Sequence, residues 1–299
     1  LADQSVEAVS VVTPDASHLP VALASLRAGR HVLCEKPLAL NARDARRMQR
    51  AAQRAGVVNM VNFSYRDWPG IQEIARRVAD GALGELRHVE ASYLQSWLSS
   101  RVWGDWRTNP AWLWRLSTAH GSRGVLGDIG VHILDFATYP CGPIRELSCQ
   151  LRTFPKARGG RIGEYRLDAN DSAAITAEFA NGALGVIHTT RWCGGHTNRL
   201  ALKIAGTAGT LAFDSDHGSD RIQLSGGRDL ARNRWRTLKC RPCRTIYRRF
   251  VEAIRNGAGY EPDFARGVEV QAMVDACFES DRRRQPVRLG RGRKSRRGA

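Results

Sequence analysis

Short β-branched runs alternate with longer amphipathic segments over the first sixty residues of the chain. Val9, Val11 and Val12 form the first run, of the kind buried on both faces of a parallel sheet, and Thr13-Pro14 closes it because proline cannot continue a ladder. His18 to Ala28 predicts a helix, with Leu19, Leu23 and Leu26 on one stripe and Gly29 as its stop. His31 to Cys34 predicts a second strand. After Glu35-Lys36-Pro37 the helical pattern returns: Asn41 suits an N-cap, Asp44 suits the positive end, and Gly56 ends the helix after Ala55. Val57 to Val61 predicts a third strand. Strands joined by helices of this length imply right-handed crossovers and a parallel sheet.

Beyond Asn62 the pattern changes. Ile71 to Ala79 predicts a helix ending near Gly81, and Leu86 to Leu94 a strand; a tryptophan-rich loop then leads to a helix striped by Leu126, Ile129, Ile133 and Phe136. Ala173–Phe179 and Ala183–Thr190 flank Asn181-Gly182, a dipeptide that supplies the positive φ angles of a tight hairpin. Leu200–Ala205 and Thr210–Phe213 form another pair around Gly206 and Gly209, and Phe264 to Glu279 predicts a last helix. The fold class expected is α/β: a partial Rossmann-type parallel sheet in residues 1–62, then an α+β domain with a mostly antiparallel open sheet in 63–281. Residues 282–299 read as a basic, disordered tail.

Composition narrows the function classes. The chain has 299 residues, 42% hydrophobic and 25% charged, as in globular proteins, and no run approaches the roughly 18 apolar residues of a membrane span. Its net charge of +17 is concentrated in Arg228–Arg249 and Arg282–Arg297. No zinc-finger spacing or aromatic RNA-binding motif accompanies that charge, which weighs against a nucleic-acid partner. Seven scattered cysteines suit a reducing cytoplasm rather than a disulfide scaffold. Cys240-x-x-Cys243 is a lone pair without the second pair that zinc requires, so no metal is expected.

Two clusters carry candidate chemistry. Lys36 lies where a parallel strand ends, the position at which open α/β sheets bind ligands. Asp128 and His132 stand four residues apart, which a helix places on one face, turned away from the apolar stripe. Oxidising an alcohol removes a hydride from carbon and a proton from oxygen. His132 suits the role of base, Asp128 that of a partner orienting the imidazole or a hydroxyl, and Lys36 that of a charge stabilising the developing alkoxide. The rival readings are a surface Asp–His pair, an exposed loop lysine, and, for His18, an ordinary first helical turn. Trp97, Trp103, Trp106, Trp112 and Trp114, with Arg107 and Arg115, suit a sugar ring, against a rival reading as packing residues of a long loop. Tyr65 and Arg66 follow the third strand as further pocket candidates.

Thr13-Pro14 with His18, Glu35-Lys36-Pro37, and the run from Gly124 through Gly127-Asp128-Ile129-Gly130-Val131-His132 to Asp135 fall in one order. Together they resemble the Gfo/Idh/MocA family of NAD(P)-dependent oxidoreductases, over about Val6 to Leu289. The resemblance implies an amino-terminal Rossmann domain, a second domain whose open sheet forms homo-oligomer contacts, and NAD or NADP as cofactor. It implies that Lys36, Asp128 and His132 are catalytic and that Thr13, Pro14, His18, Glu35, Lys36 and Pro37 line the cofactor. Trp114-Arg115 matches a substrate-contacting pair of sugar-oxidising members. The family's G-x-G-x-x-G loop is absent, and the expectation is that a first β-α-β unit has been lost upstream of Leu1, impairing dinucleotide binding and activity. Sugar or polyol dehydrogenation is the expected reaction. Redox-assisted glycoside hydrolysis and a non-catalytic sugar-sensing or DNA-associated role stay open beside it.

Overall fold

A parallel β-α-β-α-β core opens the chain. The computed structural model describes residues 3–257 and 260–290. Strands β1 (Ala8–Val11), β2 (His31–Cys34) and β3 (Asn59–Val61) alternate with helices α1 (Asp15–Arg27) and α2 (Ala42–Ala55) and lie side by side in the order β1-β2-β3. Both pairings are parallel, with Val11 opposite Cys34 and Cys34 opposite Val61. Helix α1 starts at Asp15, earlier than its apolar stripe suggests, because the extended Pro14 releases the chain and Asp15 favours the positive helix end. Asn41 caps α2 as its sequence predicts, accepting from the Asp44 amide at 2.9 Å, and Gly56 closes it at φ 65°.

The second compact unit begins with α3 (Pro69–Ala79), β4 (Leu86–Gln95) and the short turn α4 (Pro110–Leu113). A π-helical turn, Leu126–Gly130, leads into α5 (Val131–Cys141). Then follow β5 (Ile144–Arg152), a small hairpin of β6 (Arg161–Ile162) and β7 (Tyr165–Arg166), and the strands β8 (Ser172–Phe179) and β9 (Leu184–Thr190). After them come β10 (Asn198–Gly206), β11 (Gly209–Asp214), β12 (Arg221–Gly226) and β13 (Arg236–Lys239). The nine-stranded sheet is antiparallel except for the β4–β9 pair. Asn181-Gly182 makes the expected β8–β9 hairpin, with Gly182 at φ 87°. Helices α3 and α5 cover one face, where Trp68, Phe136 and Phe213 meet at centroid distances of 5.6–6.3 Å. The other face is a shallow concavity of about 590 Å³ bearing Glu90, His188, Arg199, Lys203 and Asp214.

Two helices end the chain, α6 (Ile246–Asn256) and α7 (Phe264–Arg283), followed by the two-residue strand β14 (Val287–Arg288). The described residues up to Asp67 group with Arg244–Asp275, and Trp68–Cys243 groups with Ala276–Gly290. Sequence reading placed all of 63–281 in the second domain; α6 and most of α7 belong instead with the parallel sheet. Ile246, Phe250 and Ala253 of α6 pack on Leu33, Val58 and Met60. Leu33 and Met60 lie opposite each other in register, so they share the face that α6 covers. Residues 282–290 also depart from the expected disordered tail: Arg282 and Arg283 finish α7, and Val287 and Arg288 pair with Leu147 and Glu146 of β5. Residues 291–299 lie outside the described residues. No helix among the described residues is long and apolar enough to cross a membrane.

One buried residue holds the start of α5, and a buried ion pair adjoins it in sequence. Asn170 reaches across to the π-turn: its carbonyl accepts from Val125 N at 2.7 Å, its Oδ1 accepts from Leu126 N at 3.1 Å, and its Nδ2 donates to the Arg123 carbonyl at 3.2 Å. Gly124 permits this approach, since it sits at φ +67° and a Cβ there would lie 2.5 Å from the Asn170 carbonyl oxygen. Beside it, the fully buried Lys156 Nζ is 2.5 Å from Asp171 Oδ2 and also donates to the Phe154 carbonyl at 2.9 Å. Gly124→Ala is expected to lower the unfolding free energy by about 2–4 kcal/mol, read from urea denaturation, because strain and a backbone clash act together. Asp171→Ala leaves a buried ammonium without its counter-charge and is expected to cost about 3–5 kcal/mol in the same measurement.

Candidate active site

In the first unit the register of β1 and β2 aligns two loops. Glu35 N donates to the Val11 carbonyl at 2.9 Å, so Val12-Thr13-Pro14 and Glu35-Lys36-Pro37 leave neighbouring strands together at their carboxyl ends. His18 braces the two: Nδ1 lies 2.8 Å from the Pro37 carbonyl and Nε2 2.9 Å from the Thr13 carbonyl, and the ring is fully buried. The buried His18 ring thus ties together the two loops that carry the other residues expected to line the cofactor. The Lys36–Pro37 peptide is cis.

Glu35 is anchored as well. Its carboxylate accepts from Asn62 Nδ2 at 2.5 Å, and Asn62 Nδ2 also donates to the Tyr247 hydroxyl at 3.0 Å. Lys36 is half-buried, while Val12, Thr13 and Pro14 are exposed, Val12 to 67%. An apolar, exposed rim with a cation beside it at the carboxyl end of parallel strands fits the flat ring of a nicotinamide cofactor. Cys34, next to Glu35, is no rival nucleophile, because burial pushes its thiol well above the usual range. Tyr65 is half-buried in the turn Ser64–Asp67. Arg66, in the same turn, is buried with Nη1 3.6 Å from the Glu261 carboxylate, which suits it to holding this turn more than to an open pocket.

In the second unit Asp128 lies half-exposed on the π-turn, and His132 follows in the first turn of α5. Sequence reading turned both away from the core. The structure corrects this for His132, which is 7% exposed on a helix buried continuously from Val131 to Thr138. Its ring lies 6.4 Å from that of Tyr93, whose hydroxyl donates to Asn198 Oδ1 at 2.7 Å. Asp128 is engaged by guanidinium groups: Arg191 Nη2 donates to Oδ2 at 2.8 Å, and Arg115 Nε lies 3.9 Å away. Arg115 in turn lies over the rings of Trp114, at 4.6 Å, and Trp112, at 5.2 Å. The two substrate candidates Trp114 and Arg115 thus stand beside Asp128.

The remaining tryptophans divide. Trp97 and Trp106 are buried with Leu98, Leu113, Leu116 and Leu167, as the packing alternative requires, and Trp103 and Trp112 pack partly buried against that cluster. Arg191 escaped the sequence reading. Its signal was the period-two alternation of β9, in which Gly185, Ile187, Thr189 and then Arg191 point inward while their neighbours do not. Burial pushes the Arg191 guanidinium down from its ordinary range, and Asp128 opposes that push. Among the described residues no group of three or more His, Cys, Asp or Glu side chains is placed to hold a metal ion.

Comparison with known proteins follows the same division. Residues 1–63 match a family model described as the oxidoreductase family with an NAD-binding Rossmann fold, and residues 71–212 match the GFO/IDH/MocA C-terminal domain. The chain is 28% identical to levoglucosan dehydrogenase of Pseudarthrobacter phenanthrenivorans over 93% of its own length and 78% of that protein's. A solved levoglucosan dehydrogenase in complex with NADH and levoglucosan superposes with a TM-score of 0.86 at 27% identity, covering 97% of this chain and 82% of the other. An oxidoreductase domain protein from Kribbella flavida superposes with a TM-score of 0.85 at 33% identity, with coverage of 97% and 82%. With both family domains present in order and a 33% identical structure aligned over nearly its whole length, the chain belongs to the GFO/IDH/MocA family of oxidoreductases.

Proposed function

We propose that the chain transfers a hydride between a hydroxyl of a sugar or polyol and NAD(P). The observation that supports this reading most is the contact of Arg115 with Asp128, which sets a guanidinium flanked by two indole faces beside the helix that bears His132. Indole faces suit the apolar side of a sugar ring, and guanidinium and carboxylate suit its hydroxyl groups. The levoglucosan dehydrogenase complex with NADH and levoglucosan supports the same substrate class.

Each group then has a role. His132 takes the proton from the hydroxyl that is oxidised, and Asp128, placed between the guanidinium groups of Arg191 and Arg115, hydrogen-bonds a substrate hydroxyl. Lys36 offsets the negative charge that grows on the reacting oxygen. Val12, Thr13 and Pro14 with Glu35 and Pro37 shape the wall for the cofactor, behind which His18 locks the two loops together. Tyr65 and Arg66 shape the turn after β3. When bound, the nicotinamide accepts the hydride. The first unit thereby serves the cofactor and the second the sugar. The sheet face opposite α3 and α5, with exposed Leu184 and Val186, is assigned to contacts between copies of the chain. A reducing cytoplasmic setting belongs to the same reading, in keeping with seven scattered cysteines, five of them buried.

Lys36→Met and His132→Gln are each expected to lower kcat for NAD-dependent oxidation of levoglucosan or myo-inositol by about 10²- to 10⁴-fold, followed by nicotinamide absorbance. Far-ultraviolet circular dichroism checks that both variants fold. Turnover that survives both substitutions removes the catalytic roles. Cleavage of a glycoside without net cofactor reduction replaces dehydrogenation by redox-assisted hydrolysis.

A further inference from the structure

Asp128 belongs to a closed circuit of side chains. Arg191 Nη2 donates to its Oδ2 at 2.8 Å, and the same guanidinium lies 4.9 Å over the ring of Trp97. Trp97 packs on Trp112 at a centroid distance of 5.3 Å, Arg115 lies 5.2 Å over Trp112, and Arg115 Nε returns to Asp128 at 3.9 Å. The members come from four places in the chain: just beyond β4, the α4 region, the π-turn, and the end of β9.

Arg191 joins the two halves of the circuit. Besides the bond to Asp128, its Nη1 donates to the main-chain carbonyl of Arg115 at 3.2 Å, so one buried guanidinium grips both a candidate catalytic carboxylate and the backbone of a candidate substrate contact. Its own backbone is tied on both sides, with its amide donating to the Asp171 carbonyl at 3.0 Å and its carbonyl accepting from Leu98 N at 3.1 Å. Trp97 is fixed in turn, its Nε1 donating to Gln95 Oε1 at 3.1 Å while Gln95 Nε2 donates to Asn198 at 2.8 Å. A planar fork that donates along two directions while its face stacks on an indole is a task for arginine that lysine cannot perform. Burying a guanidinium completely is costly, and an apolar side chain would fill the same space more cheaply if filling space were its purpose.

We propose that Arg191 is a positioning residue that holds Asp128 and Arg115 in fixed register, so that carboxylate and sugar-contacting guanidinium meet the substrate as one unit. This rests on the dehydrogenase reading of the site. Arg191→Lys keeps a cation for Asp128 but loses the second donor and the stacking face. It is expected to raise KM for levoglucosan about tenfold while kcat stays within about threefold of the original. Arg191→Met removes the cation and is expected to lower kcat about 100-fold.

A purely structural role would instead lower both variants' activity in step with their folded fraction, without dividing KM from kcat between them, and that result overturns the proposal. So does an Arg191→Met enzyme within twofold of the original in both constants. The clamp is also read without turnover, from melting temperatures of Arg191→Met, Asp128→Asn and the double variant. The double variant is expected to lose no more than the worse single one, whereas additive losses overturn the clamp. A wild-type chain that is inert toward sugar alcohols sinks the dehydrogenase reading, and the melting cycle then decides the Arg191–Asp128 coupling by itself.

Discussion

A parallel sheet buries both of its faces, and three strands are too few to do so with the helices that connect them. In this chain that requirement is met by α6, nearly two hundred residues downstream of β3, which returns to place Ile246, Phe250 and Ala253 on Leu33 and Met60. Asp67 secures the return: its carboxylate accepts from the Ile246 amide at 2.9 Å and from Arg249 Nη2 at 3.0 Å. With the sheet covered, the strand register aligns the loops after β1 and β2, and the His18 ring bridges them. The position of Lys36 is therefore set by backbone pairing and one buried imidazole.

The second unit solves a different problem. A helix that carries polar chemistry has to be buried enough to be rigid, and α5 is buried along most of its length. Its polar groups are consequently met by partners from other elements. Asn170 caps the π-turn, Tyr93 lies beside His132, and Arg191 holds Asp128. Every partner is delivered by a strand or by the residues at its end, so the sheet serves as the frame on which these contacts are hung.

The legible parts of the sequence were those where one local signal decides the outcome. The Asn41 cap, the Asn181-Gly182 hairpin, the parallel order of the first strands and the Glu35-Lys36-Pro37 turn all depend on a few neighbouring residues. The helix Ile246–Asn256 was hidden because its apolar stripe is interleaved with Arg248, Arg249 and Arg255, and charge dominated the pattern. Strand β5 was hidden because Arg145 and Glu146 interrupt its alternation where the pairing with β8 is irregular. The partners of Asp128 were the hardest to see. Arg191 lies 63 residues away in sequence, and only the folded sheet shows why an arginine ends the inward row of β9.

The two margins of the nine-stranded sheet are closed in different ways. At one margin β14, two residues long, occupies the free side of β5; at the other, β13 presents Arg236 and Lys239 outward. An outermost strand left bare is a template on which a neighbouring molecule can extend the ladder, leading to aggregation. A very short terminal strand leaves little of that template, and exposed charged side chains on an outermost strand, here Arg236 in its ion pair with Asp229 and Lys239, disfavour its extension. Charged side chains within the basic stretch Arg228–Arg249 thereby serve the sheet itself, keeping its outermost strand from pairing with another molecule.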